Sequence, residues 1–228
     1  MFTGLLNKGA VVIATSNRQP NDLYLNGLQR YLFLPFIDLL VDRSEIISMW
    51  DSDTDYRLVQ GANKARGVYF IGDDNIAKFD QSFIELTKGS TISKSSTIST
   101  QGRSITIPQA SQKYKVARFS FDDLCRQPRG AADYLVIGEN FHTVFVERVP
   151  SLTMNDINIV RRFIVFVDAM YECHVKLIIH AATKPEEIFK VDLGDEHCDE
   201  AFAFDRTRSR LEEMGSDEYL KSRWTGKS

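Results

Sequence analysis

An amide and two guanidinium groups near the start of this 228-residue sequence are suited to phosphate chemistry. Asn17 and Arg18 come three and four residues after an apolar run, residues 10–14, and Arg30 lies further along the same stretch. During phosphoryl transfer, charge builds up on the phosphoryl oxygens, so rigid donors must surround them and orient the attacking water. We therefore treat Asn17, Arg18 and Arg30 as candidate site residues.

The elements that must position these groups can be predicted from hydrophobic spacing. Residues 10–14 read as a buried strand, and the ends of such strands carry ligand chemistry in open α/β sheets. A turn is predicted at Pro20 and the Asn-Asp pair after it. A helical segment, interrupted near Pro35, is predicted from four apolar positions. These positions are Leu28, Leu32, Ile37 and Leu40.

Two more arginines occur together near the other end of the sequence. Arg206 and Arg210 are four residues apart on a predicted helix and therefore share one face, whereas Arg208 points elsewhere. Pairing with Glu213 or with nearby acids on the same helix is one interpretation of this spacing.

Further strands and helices alternate along the chain. We predict strands at residues 45–50, 68–71 and 175–179, and helices at residues 75–88 and 154–173. The two apolar runs that contain Ile13 and Ile178 are followed by similar residues. We therefore hypothesise that residues 142–189 repeat a strand-helix-strand unit of the first half, with chance similarity of two buried strands as the alternative.

Residues 14–37 closely resemble the second half of an AAA+ ATPase module, in the family of bacterial ZapE and the mitochondrial lactation-elevated (ATPase family gene one) proteins. Five further blocks match that family in the same order. These blocks are DSDTDYRL (51–58), ARFSFDDLC (117–125), GAADYLVIGENFHTVFVERVP (130–150), RRFIVFVDAMYECHVKLIIHAA (161–182) and FDRTRSRLEEMGSDEYL (204–220).

The resemblance implies a fold and a division into domains. The fold class is α/β, a partial AAA+ (P-loop NTPase-like) parallel sheet with a C-terminal α/β extension and a helical lid. Residues 1–60 would be the second half of the AAA+ core, and residues 61–120 a connecting region with a basic Ser/Thr-rich insertion. Residues 121–228 would be the C-terminal α/β region and lid helix.

The resemblance also implies roles for the candidate residues. Asn17 looks like the water-positioning sensor at the tip of a core strand, with a turn-capping asparagine as its alternative. Arg30 resembles the arginine finger that reaches the nucleotide of a neighbouring subunit, a role for which Arg18 competes and to which a merely solvated arginine is the alternative. Arg206 and Arg210 resemble the lid residues that touch the γ-phosphate.

For the intact family member, the resemblance implies ATP and Mg²⁺ as cofactors and a homo-oligomeric ring that acts on client or membrane proteins. It implies a mitochondrial location in a eukaryote and a cytoplasmic one otherwise. No G-x-x-x-x-G-K-[ST] string occurs in this sequence, and the terminal residues 226–228 only imitate its end. We therefore expect both Walker segments upstream of Met1 and an isolated chain that neither binds ATP tightly nor hydrolyses it. A non-catalytic protein-binding module is the alternative function.

Composition and local sequence bear on nucleic-acid binding and metal binding. A net charge of −3 argues against a surface that coats nucleic acid, although residues 88–118 hold six basic residues and no acidic one. Residues 89–101 are low in complexity and predict a mobile loop or a hairpin tip. Cys125, Cys173 and Cys198 show no metal-binding spacing, so we expect no metal site.

Overall fold

The computed structural model describes residues 2–16, 18–25, 27–47, 68–90, 92–100, 102–190 and 199–226. The chain divides into two compact units, Met1–Asp53 and Thr54–Ser228. Asn17, the aspartate-tyrosine-arginine segment at 55–57 and the second half of the predicted strand at 45–50 lie outside the described residues. Residues 45–47, which are described, have no regular secondary structure.

The first unit contains two helices joined by turns. Helix α1 is Phe2–Asn7 and helix α2 is Leu34–Arg43, with short 3₁₀ turns at Pro20–Asp22 and Arg30–Leu32 between them. Pro35 stands in the first turn of α2, where a missing N–H costs no helical hydrogen bond. The prediction of a helix from Leu28 interrupted near Pro35 is therefore wrong, because this proline begins the helix.

The apolar run at residues 10–14 is not a strand. It has no regular secondary structure, and the side chains of Val11 and Ile13 are 90% and 95% exposed. A buried strand needs neighbours that complete its backbone hydrogen bonds, and no strand of the described residues lies in the first unit. The proposed repeat fails for the same reason, because Ile178 lies in a strand and Ile13 does not.

The second unit is built on a six-stranded sheet. Its spatial order is β1-β7-β5-β4-β3-β2; the strands from β1 to β4 in this order are parallel, and β3 and β2 continue antiparallel. The strands are β1 Tyr69–Ile71, β2 Ser93–Thr100, β3 Arg103–Ser111, β4 Val116–Ser120, β5 Thr143–Val149 and β7 Lys176–Ala181. Strands β6, Leu152–Thr153, and β8, Phe189–Lys190, form a separate parallel pair.

The helices of this unit cover both faces of the sheet. They are α3 Ile76–Thr87, α4 Ala131–Asn140, α5 Ile157–Glu172, α6 Asp199–Met214 and α7 Asp217–Lys221. Helix α3 buries Phe79 and Phe83 against Phe145 of β5. The residues on either side of Phe145, Val144 and Val146, join the larger core with α4, α5 and α6. Since successive strand residues point to opposite faces, the sheet is sandwiched between two helical layers.

A buried arginine fixes α3 to the sheet. Arg118 of β4 pairs with Asp80 of α3 at 2.7 Å and with Glu147 of β5, and its guanidinium lies 5.1 Å from the centre of the Phe79 ring. Its side chain is only 15% exposed, so its charge needs these carboxylates. Arg118 therefore belongs to the core of the unit and not to a free basic loop.

The low-complexity segment at 89–101 was predicted to be a mobile loop or a hairpin tip. The mobile loop is wrong, because most of the segment is a strand that forms one arm of a hairpin. Residues 93–100 form β2, an edge strand that pairs with β3 in a hairpin, with Ile98 opposite Ile105. Thr and Ile suit a pleated surface, so the alternation of small polar and β-branched residues supports pairing once β3 is present. Among the described residues, Gly102 alone lies between the two strands of this hairpin.

The other predicted elements of the second unit are confirmed. The helices predicted at 75–88 and 154–173 are α3 and α5, and the strands predicted at 68–71 and 175–179 are β1 and β7. The α/β fold class with a mostly parallel sheet is also confirmed. Strands from residues 61–120 and from residues 121–228 join this one sheet, while the predicted domain boundaries stay a prediction. In the described part of the chain, every helix is too short or too polar to cross a bilayer.

Candidate functional site

The two candidate arginines of the first unit, Arg18 and Arg30, lie in its turns. The backbone N–H of Arg18 donates to Ser16 Oγ at 3.1 Å, and its side chain is half-buried. Arg30 begins a 3₁₀ turn after Gln29, whose backbone is left-handed with φ of 55°. Arg18 therefore lies in a bend and Arg30 in a short 3₁₀ turn, and not at a strand end and in an α-helix as predicted.

The guanidinium of Arg30 is anchored within its own unit. Its Nη2 donates to the backbone carbonyl of Asn21 at 2.5 Å, and its Nε is buried without a hydrogen-bond partner among the described residues. A carbonyl satisfies one donor without neutralising the charge, and four donors of the planar group remain. Arg30 can therefore still bind an anion through its other N–H groups.

Arg206 and Arg210 share one face of α6, as predicted, and meet on a single carboxylate. Arg206 Nη2 donates to Asp168 Oδ2 of α5 at 3.0 Å, and Arg210 Nη1 pairs with Asp168 Oδ1. Arg208 points elsewhere and pairs with Asp205 at 3.0 Å. The partner is thus an acid on another helix, and not Glu213 or another residue of α6.

An aromatic ring completes this cluster, which we call the α5–α6 arginine pair (Arg206, Arg210 and Asp168). The guanidinium of Arg210 lies 4.9 Å from the centre of the Tyr171 ring, and the Tyr171 hydroxyl donates to the Glu213 carboxylate at 2.9 Å. The ring and the carboxylates restrict the rotamers of Arg210. The two cations are therefore oriented toward a point already occupied by two anionic oxygens.

Asp168 is the residue that sequence reasoning missed. It is one of two acids in α5, with Glu172 at the end, and it follows the buried Val167 directly. A carboxylate beside the apolar stripe of a helix lies near the seam with its neighbour, where a cation of that neighbour can reach it. This signal could have indicated an interhelical partner for α6, although not which one.

The described cysteines and histidines of the second unit are packed or hydrogen-bonded. Cys125 and Cys173 are buried and free, and burial raises the pKa of both thiols. His142 is half-buried, its Nδ1 lies 2.6 Å from Thr143 Oγ1, and burial together with Lys176 lowers its pKa. No group of three or more His, Cys, Asp or Glu side chains in the described ranges is placed to hold a metal ion. His197 and Cys198 lie outside those ranges.

The arginine pair has the hydrogen-bond donors that a phosphate group requires. Two guanidiniums that already bind the two oxygens of one carboxylate present the donors that two phosphate oxygens require. Arg210 Nε is buried without a hydrogen-bond partner among the described residues, so it is an unsatisfied donor. An oxyanion could accept from both guanidiniums only by displacing the Asp168 carboxylate, which already accepts from them.

The comparisons with known proteins define the class. The family model described as AFG1-like ATPase matches residues 1–223. The chain therefore belongs to the AFG1-like ATPase family, and its mostly parallel α/β sheet is consistent with the P-loop NTPase-like fold expected for that family. No solved structure matches the chain.

Several curated proteins are similar to nearly all of the chain. It is 36% identical to the cell division protein ZapE of Escherichia coli K12 over 222 residues, 97% of this chain and 56% of ZapE. It is 33% identical to Lactation elevated protein 1 homolog B of Danio rerio, over 96% of this chain and 48% of that protein. An uncharacterized protein of Schizosaccharomyces pombe is 31% identical over 97% of this chain and 53% of its own length. The chain thus spans about half the length of the curated relatives that it matches.

Proposed function

We propose that this chain is the C-terminal portion of an ATPase that binds and hydrolyses ATP to remodel partner proteins or help degrade them. The observation that carries the proposal is the match of residues 1–223 to the AFG1-like ATPase family. ATP and Mg²⁺ would be bound mainly by polypeptide outside this sequence. We expect a mitochondrial location if the organism is a eukaryote and a cytoplasmic one otherwise.

Within that function, each candidate residue has one task at the γ-phosphate. Asn17 would position the attacking water, and Arg30 would reach the nucleotide of the next subunit in a homo-oligomeric ring, with Arg18 beside it. Arg206 and Arg210 would bind the γ-phosphate of their own subunit. Rigid donors of this kind stabilise the charge that develops on the transferred group.

The α5–α6 arginine pair supports the last of these tasks through its geometry. Asp168 holds both guanidiniums side by side on α6, so little side-chain entropy is lost when a phosphate replaces the carboxylate. Arg206 is 44% exposed and can release Asp168 first, whereas Arg210, 21% exposed and stacked on Tyr171, stays oriented. Asp168 would then act as the stand-in for phosphate when no nucleotide is bound.

The experiment uses the polypeptide encoded by the complete reading frame that contains this chain. We expect Asn17→Ala and Arg30→Ala each to lower kcat at least about 100-fold, since each removes a donor from the transition state. Arg43→Ala is the matched control, because Arg43 is an exposed arginine of the same unit that pairs only with its neighbour Asp42 among the described residues. Its kcat should not change.

Mixing the two inactive variants tests the ring. A finger that acts on the neighbouring subunit predicts that Asn17→Ala and Arg30→Ala subunits together recover a fraction of the activity, because some interfaces then pair an intact Asn17 with an intact Arg30. Absence of recovery in a mixed oligomer would contradict a finger acting in trans. The 228-residue chain alone should show no Mg²⁺-dependent hydrolysis, and hydrolysis that is lost on Asn17→Ala would contradict the proposed division of the site.

A non-catalytic protein-binding module is the second candidate function, and the absence of a G-x-x-x-x-G-K-[ST] string favours it. The two candidates differ in what precedes codon 1. An in-frame segment with this motif supports the ATPase, whereas an untranslated leader supports the module.

A further inference from the structure

A strip of lysines lies along the amino ends of the parallel strands. We call it the basic edge, and its members are Lys88, Lys113, Lys115 and Lys176, with Tyr114 among them. Lys88 ends α3, Lys113 and Lys115 are in the turn before β4, and Lys176 begins β7. Lys88 and Lys113 are exposed and the other two lysines are half-buried.

Contacts between the turns make the basic edge continuous. Ser90 Oγ, just after α3, is hydrogen-bonded to Ser111 Oγ at 2.9 Å. The ammonium groups of Lys88 and Lys113 lie 5.6 and 5.3 Å from the centre of the Tyr114 ring. The Lys115 carbonyl accepts from His142 N, and the His142 carbonyl accepts from Lys176 N. These contacts therefore bring the four lysine residues together at the amino ends of the parallel strands.

These lysines differ from the arginines of the same sequence region in having no acidic partner among the described residues. Arg103 pairs with Asp133, and Arg118 pairs with Asp80 and Glu147, but no salt bridge involves any lysine of the basic edge. The nearest acid on the helix of Lys88 is Glu85, whose carboxylate accepts from Gln81. The basic edge is therefore a cationic surface on a chain whose net charge is −3.

His142 is affected by the positive charge of this surface. Its pKa is lowered by burial and by the charge of Lys176, so the ring stays neutral and adds no charge at neutral pH. A surface that keeps several unpaired lysines together carries unfavourable repulsion unless an anion neutralises it. An anionic ligand would remove that repulsion.

We propose that the basic edge binds acidic segments of partner polypeptides. The inference deepens the proposed function, on which it rests, by giving the chemistry of a client protein. One feature favours a carboxylate-rich peptide over nucleic acid. Tyr114 is half-buried and already lies near two ammonium groups, so its ring is only partly available for stacking a base.

The experiment measures fluorescence anisotropy of the purified 228-residue chain with a labelled poly-L-glutamate of about 20 residues, in about 50 mM and about 300 mM NaCl. We expect saturable binding that weakens at the higher salt. Lys88→Glu combined with Lys113→Glu should raise Kd about tenfold at low salt, and the milder Lys113→Gln with Lys115→Gln about threefold. Thermal melting by circular dichroism checks that each variant is folded.

The control reverses two charges elsewhere in the same unit. The double substitution Lys184→Glu and Lys190→Glu changes the net charge by the same amount. Both residues come after β7: Lys184 precedes the 3₁₀ turn Pro185–Glu187, and Lys190 ends β8. Its Kd should stay within about twofold of the unsubstituted chain, since screening limits long-range effects. Equal weakening by the control would show that only net charge matters and would overturn the proposal.

Two other results would also overturn it. One is the absence of saturable binding, and the other is tighter binding of a labelled oligodeoxythymidylate of similar length, which would assign the basic edge to nucleic acid. The assay contains no nucleotide, so its failure would leave the ATPase proposal standing. Failure of the mixed-subunit experiment would likewise leave peptide binding intact.

Discussion

Replacing Asp168 with alanine tests whether the α5–α6 arginine pair holds helix α6 in place. The substitution removes the carboxylate that accepts from both Arg206 and Arg210 and leaves the two guanidiniums facing each other without an anion between them. We expect the second unit to be destabilised, because the loss combines two charge-assisted hydrogen bonds with new repulsion between cations.

The expected loss of stability follows from the solvent exposure of the two ion pairs that Asp168 makes. The pair of Arg206 and Asp168 is 44% and 28% exposed, so it should contribute about 0.5 kcal/mol. The pair of Arg210 and Asp168 is 21% and 28% exposed, and a hydrogen bond between charged groups at this depth contributes about 1.5 kcal/mol. The free energy of unfolding should therefore fall by about 2 kcal/mol, which lowers Tm by about 4 to 8 °C for a chain of this size.

The assay is thermal and urea unfolding of the purified chain, followed by circular dichroism. Asp168→Asn keeps one acceptor and should lose about half as much stability as Asp168→Ala. Asp205→Ala is the matched control, because Asp205 is 71% exposed and pairs only locally with Arg208 among the described residues, so its Tm should change by less than about 1 °C. A Tm for Asp168→Ala equal to that of the control would refute the reasoning, since the arginine pair would then contribute nothing to docking α6.

Two further predictions concern packing and pH. Gly138→Ala in α4 should lower the free energy of unfolding by about 1 to 3 kcal/mol in urea titrations, because an added Cβ would lie 2.9 Å from Cys173 Sγ; Gly130→Ala, whose Cβ would meet nothing within 4 Å, is the control. His142 has a folded-state pKa below its unfolded value, so it stabilises the fold fully above about pH 6.5 and loses that contribution as pH falls through the folded pKa. His142→Gln should therefore flatten the loss of stability between about pH 7 and pH 5 in parallel urea titrations, and an unchanged pH profile would contradict the assigned pKa direction.

Helix and strand positions in the second unit could be predicted because their signals are local. The apolar positions Ile157, Val160, Ile164, Val167 and Tyr171 recur at helical spacing, and α5 is found at Ile157–Glu172. Residues 175–179 are apolar apart from Lys176, as expected for a strand buried on both faces, and β7 is found at Lys176–Ala181. In both cases the partners of the element lie in the same unit, so the local pattern and the tertiary structure agree.

The same kind of apolar run was misleading in the first unit, where the described residues contain no partner strand. Residues 10–14 are as apolar as β7, yet Ile13 is 95% exposed and belongs to no strand. A strand acquires its hydrogen bonds from neighbours, and hydrophobicity alone cannot supply them. Conversely, the polar segment that forms β2 becomes a strand because β3 pairs with it along its length.

By itself, the sequence determined the family, the α/β class and the shared face of Arg206 and Arg210, because each depends on residue identity and spacing along the chain. Only the tertiary structure decided which acid those arginines contact and which lysines gather on one edge of the sheet. Both outcomes depend on which turns and helices are brought together across long stretches of sequence, and a periodic pattern within one element carries no information about the charge on its neighbour.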